Sequence, residues 1–181
     1  MKFLIFLLLF CGSLSAQTGV YLTAGLGAGI NSDFNLNERA VSRSRALVGE
    51  AALSFRFRLC GAVYAETGLG ARVLAAGGRT DDRAYRSQTL RMVIPLLFGG
   101  NISEKSRLYL GTTVRNNLDF VDIDLQQKYF LRSDAVLKAD RQLTDRWQLF
   151  SRVSYGVYGV KNSYLLIDPR FSILLGAAYR L

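Results

Sequence analysis

Eight stretches of this chain, each about 9–13 residues long, alternate between apolar side chains and small, polar or charged ones. Successive side chains on a β-strand point to opposite faces, so a period of two sorts each stretch into one greasy face and one polar face. In residues 46–59, Leu47, Ala51, Leu53, Phe55, Phe57 and Leu59 face Glu50, Ser54, Arg56 and Arg58 across the strand. In residues 171–181, Phe171, Ile173, Leu175, Ala177, Tyr179 and Leu181 oppose Ser172, Leu174, Gly176, Ala178 and Arg180. A chain of such strands has two closed solutions. A soluble barrel keeps its greasy face inside; a membrane barrel inverts this. Here the apolar face is nearly continuous over all eight strands. The opposite face carries Glu50, Arg56, Glu66, Arg72, Arg91, Arg107, Arg115, Lys138, Asp140, Arg152 and Arg170. That polarity points to the inverted case. Because open sheet edges cannot be left in hydrocarbon, the strands must close. The expected fold is all-β, an eight-stranded antiparallel up-and-down transmembrane β-barrel.

The connections between the stretches support this. Runs at 19–30, 46–59, 62–74, 88–99, 107–115, 135–143, 147–158 and from 171 onward leave long connections at 31–45, 76–87, 116–134 and 159–168. Those near 60, 102 and 144 are short. Outer-membrane barrels have tight turns on the periplasmic side and larger loops outside, and a tilted strand crosses the hydrocarbon in about 9–11 residues. Trp147 and Tyr179 fall at the short-turn ends of their runs, where an interfacial aromatic girdle belongs. Pro95, which has no N–H to give a ladder, predicts a bulge or bend in the fourth run. Arg141 interrupts the greasy face of the sixth and is expected to snorkel to the headgroups.

Residues 1–16 read as a secretory signal peptide: Lys2, an apolar run, and small residues up to a cut after Ala16. The barrel domain is then 17–181. A lipoprotein signal at Cys11 is the rival, but Phe10 stands where a small residue belongs. Beyond the leader no apolar stretch reaches 18 residues, so no spanning helix is expected. Cys60 is the single cysteine left, so no internal disulfide forms. The net charge of +9 would raise nucleic acid for a cytosolic protein. Export removes that partner, and the arginines are scattered along strands rather than gathered in a patch.

Eight strands enclose only enough space for side chains to fill, so the inward charges must pair or be very costly. Glu50 and Glu66 are the natural acidic centre, with Arg72, Arg91 and Arg115 as partners and Arg56, Arg107 and Arg152 completing the interior network. The expected result is a polar plug. The other reading is an ion-conducting lumen, with a preference for anions because arginine outnumbers acid.

Three elements carry a resemblance: Ser13-Leu14-Ser15-Ala16-Gln17, Met92-Val93-Ile94-Pro95-Leu96-Leu97, and the terminal Gly176-Ala177-Ala178-Tyr179-Arg180-Leu181. With eight strands, they make the chain similar to the small outer-membrane β-barrel proteins of the porin-like or PorT type, architecturally like the OmpA membrane domain and OmpX. The resemblance implies an outer-membrane location, outer-membrane lipid as surroundings, and recognition by the barrel-assembly machinery through the last strand. Many such barrels end in Phe; here Leu181 stands last and Tyr179 supplies the aromatic.

No catalytic pattern emerges. The chain has no histidine to serve as base for a hydroxyl nucleophile, and with one mature cysteine it offers no zinc or haem ligand set. No cofactor is expected. Asp119, Asp122 and Asp124 offer closely spaced oxygens for calcium, but the glycine and distal glutamate of a dedicated loop are missing. The expected function is a non-enzymatic outer-membrane barrel with a structural, adhesive or assembly role. The alternatives are a small porin-like channel, or a binder of an unknown partner protein or surface glycan at the long loops.

Overall fold

The computed structural model of the chain describes residues 19–34, 41–79, 84–117, 132–159 and 171–181. The signal-peptide region and the Asp119, Asp122 and Asp124 cluster lie outside them. Eight strands follow one another: β1 (Gly19–Phe34), β2 (Val41–Cys60), β3 (Val63–Arg79), β4 (Ala84–Asn101), β5 (Ser106–Asn117), β6 (Arg132–Gln142), β7 (Trp147–Gly159) and β8 (Phe171–Arg180). Each pairs antiparallel with the next, and β8 returns to β1 in a register running from Tyr21↔Arg180 to Ile30↔Phe171, closing the barrel.

The register fixes the shape. A row of paired residues starting at Asn117 passes Arg91, Arg72, Glu50, Gly25, Gly176, Phe150 and Asp140. It re-enters β5 at Arg107, ten residues along from its start. A stagger of that size tilts the strands strongly, by about 35–45° to the barrel axis. Tilt lets side chains distant in register meet across the lumen.

The polarity is inverted. Leu26 and Leu110 are 76% and 67% exposed on the outer face, whereas Arg91 is 1% exposed inside. Leu22, Leu47, Leu137, Leu149, Ile173 and Leu175 complete the outer apolar band, and Tyr21, Val48, Leu74, Tyr109, Val136 and Leu174 fill the interior between the charges. No helix among the described residues is long and apolar enough to cross a membrane; the crossing is made by strands.

Two local expectations are corrected. The connections placed at 31–45 and 76–87 are partly strand: pairing continues to Phe34↔Val41 and to Arg79↔Ala84. β1 to β4 have 16, 20, 17 and 18 residues. Crossing takes only about 9–11, so these four strands continue past the hydrocarbon at the long-loop end. Out there neither face must be apolar, and the alternation that marks a strand vanishes from the sequence. Pro95 produces no bulge. Pairing with β3 lapses opposite it and resumes in the same register, from Thr67↔Leu96 to Gly70↔Val93. The register shifts lie elsewhere, between Arg58 and Cys60 and between Ser133 and Asp134.

The closing seam depends on a glycine. A Cβ on Gly27 would sit 1.9 Å from the Ile173 carbonyl oxygen of β8. Backbone cannot yield as a flexible side chain can. Gly27→Ala is expected to destabilise the barrel by about 1–3 kcal/mol, the usual cost of overpacking. The check is the fraction that keeps its fast gel mobility without boiling, after refolding across a urea series.

Candidate functional site in the barrel lumen

Strand parity decides which charges point inward, and the stagger decides which of them meet. They form two clusters. In the first, Arg56 on β2 and Glu66 on β3 are direct cross-strand neighbours, and Arg56 Nε donates to Glu66 Oε2 at 2.7 Å. From the opposite wall Lys138 Nζ donates to both Glu66 oxygens, at 2.6 and 2.8 Å. Arg56 also pairs with Asp140 Oδ2 at 2.8 Å and donates to the Gln148 side-chain oxygen. Its guanidinium lies 4.1 Å from the centre of the Tyr21 ring. Lys138 is flanked by the rings of Tyr109 and Phe150, at 5.6 and 5.3 Å. Aromatic faces attract cations that have left water.

The second cluster repeats the plan with the strands exchanged. Glu50 on β2 faces Arg72 on β3, whose Nε donates to Glu50 Oε2 at 2.8 Å. Arg152 reaches from β7 and donates to both Glu50 oxygens, through Nη1 to Oε1 at 2.7 Å and through Nη2 to Oε2. This bidentate fork is the strong geometry for arginine with a carboxylate. Arg72 Nη1 lies 3.6 Å from Asp134 Oδ2, and Asp134 also accepts from Arg115 Nη2.

Each glutamate thus holds one arginine from its neighbouring strand and one cation from the far wall. Lys138 and Arg152 are themselves cross-strand neighbours. Like charges in that position repel; here each is drawn to a different glutamate, which keeps them apart. The pairs tie β2 and β3 to β6 and β7 through the middle of the barrel. None of the side chains in these ion pairs exceeds 8% exposure.

The eight residues named from the sequence separate as follows. Glu50, Glu66, Arg56, Arg72, Arg115 and Arg152 form the two clusters. Arg91 is buried in the lumen beside Arg72 in register. Arg107 stands apart at the short-turn mouth, donating to Asn101 Oδ1 at 3.3 Å with its guanidinium 4.8 Å from the centre of the Tyr64 ring. The acids expected to serve Arg115 were Glu50 and Glu66; among the described contacts it pairs with Asp134. That residue was assigned to a loop, although Asp134, Val136, Lys138 and Asp140 share one parity and extend the inward face by one step. Gln148 and the rings of Tyr21 and Tyr109 gave no sequence signal as cation partners. At the short-turn end Trp147 and Tyr179 are paired in register, with ring centres 4.9 Å apart and an edge-to-face angle of 61°.

No family model and no curated protein matches the chain. Among solved structures it is similar to the de novo designed TMB2.3, with 14% identity, a TM-score of 0.42 and coverage of 92% of this chain and 98% of that one. It is similar to an outer membrane channel from Pseudomonas putida F1 at 8% identity and a TM-score of 0.42, over 93% and 98%. It is similar to the translocator domain of the autotransporter NalP from Neisseria meningitidis at 13% identity and a TM-score of 0.40, over 99% and 95%. No residue role is carried over at these identities. Closed antiparallel strands, an apolar outer band and ionised groups on the axis are the build of an outer-membrane β-barrel.

Proposed function

We propose that the protein is a non-enzymatic outer-membrane barrel whose lumen is closed by its own ion pairs, serving as a rigid membrane-held platform rather than a pore. The observation that carries this is the pair of glutamates, each held by cations from two opposite walls. Eight strands leave room only for side chains, and these fill it with charges locked to one another. Kinship with the porin-like or PorT-type barrels, insertion through β8 by the assembly machinery, and a partner protein or glycan at the long-loop end belong to the same reading. The length of β1 to β4 supports it by offering paired backbone beyond the hydrocarbon.

Single-channel recording tests the closed lumen. Purified protein in planar bilayers is expected to give no steady, reproducible openings. Steady openings that Arg91→Ala alters or abolishes would instead make it a small channel.

A further inference from the structure

The short-turn end carries more cations than acids among its described residues. Four cations line an arc over the second half of the structure: Lys105 in the β4–β5 turn, Arg141 near the end of β6, Arg146 in the β6–β7 turn and Arg180 at the end of β8, all exposed. Backbone hydrogen bonds join their segments, from Gln142 N to the Lys105 carbonyl at 2.8 Å and from Arg180 N to the Arg146 carbonyl at 2.8 Å. Only Glu104 and Asp145 oppose them in these turns.

The arc lies at a defined depth. Trp147 and Tyr179 mark the membrane–water boundary, and Arg146 Nη1 donates to the Tyr179 hydroxyl at 3.0 Å. Arg141 points outward from the apolar face, paired in register with Ser106 and Leu149. A guanidinium on that face finds no acid on its own strand neighbours, and its long stem lets the head reach the interface. Guanidinium matches phosphate geometry with two parallel donors.

We infer that this rim is a binding collar for anionic phospholipid headgroups in the leaflet that surrounds the short turns, with Arg141, Arg146 and Lys105 as its phosphate ligands. The complementary charge is a ring of lipid phosphates held at the height of the aromatic pair. The collar would orient the barrel in the membrane and resist its vertical displacement.

The test uses the full protein in nanodiscs of phosphatidylcholine mixed with phosphatidylglycerol, with lipid occupancy read by spin-labelled analogues of each. Each cation near an anionic surface contributes about 1 kcal/mol, which is roughly a fivefold preference. The wild type is expected to favour phosphatidylglycerol about fivefold or more, less so in high salt. The triple variant Lys105→Gln/Arg141→Gln/Arg146→Gln is expected to lose the preference, and Arg141→Lys with Arg146→Lys to keep most of it. Equal occupancy by both lipids in the wild type, or an undiminished preference in the triple variant, overturns the collar. If the triple variant fails to reach the heat-resistant form, Arg141→Gln alone must lower the preference severalfold, and an unchanged value again overturns it.

Discussion

Glu66→Ala is expected to lower the unfolding free energy of the bilayer-inserted barrel by about 3–5 kcal/mol, the cost of removing one partner from a buried ion pair. The loss comes less from the missing attraction than from what stays behind. Lys138 would lose both of its Glu66 hydrogen bonds and keep only Asp140, 3.5 Å away. Arg56 would keep Asp140 and Gln148. The lysine is therefore the exposed weakness, and a second substitution tests this. Lys138→Met in the Glu66→Ala background removes the stranded charge while retaining the lysine's length and bulk, and should recover much of the loss. Replacing a buried pair with apolar side chains is often neutral. Urea titration in lipid vesicles, read by tryptophan emission from Trp147, gives both numbers. A single variant within 1 kcal/mol of the wild type would mean that water reaches this cluster and screens it, and the closed-lumen reading would go with it.

How much of this was visible beforehand follows from which physics acts locally. Parity is local: Leu53 outside and Arg56 inside follow from a period of two, and the eight crossings could be placed from it. Pairing across the lumen is not local. That Arg152 meets Glu50, 102 residues away, depends on a stagger of ten accumulated around the whole barrel. No single hairpin encodes that stagger. Arg107 has inward parity like Arg56, yet its row puts it at the mouth beside Tyr64. Asp134 sits next to the register shift at Ser133, within a polar run that reads as loop. The polar extensions of β1 to β4 were hidden for a related reason. Beyond the hydrocarbon the backbone alone specifies the strand, and hydrophobic pattern says nothing about it. At Pro95 the missing N–H is tolerated by a lapse in one ladder, with no extra residue inserted.

The same polarity argument sets the second large effect, on the outer face. Leu26→Arg is expected to destabilise the inserted barrel by about 2–4 kcal/mol, the measured range for arginine on the lipid face of a barrel at the bilayer midplane. Leu26 is 76% exposed and lies mid-run on β1, with Leu175 and Gly49 as its register neighbours. An arginine there faces hydrocarbon on every side. Leu143→Arg, in the β6–β7 turn, should cost only about 0–1 kcal/mol, because its head reaches the headgroups. The contrast is what decides the question. Substituting a residue that faces water usually changes stability by no more than about 0.5 kcal/mol, so a barrel with Leu26 in solvent would treat both variants alike. Paired urea titrations of the two variants in identical vesicles measure the difference directly. A gap of 2 kcal/mol or more puts the outer face of β1 in hydrocarbon. A gap near zero would mean that water, not lipid, surrounds this barrel, and the ion pairs on its axis would then need another explanation.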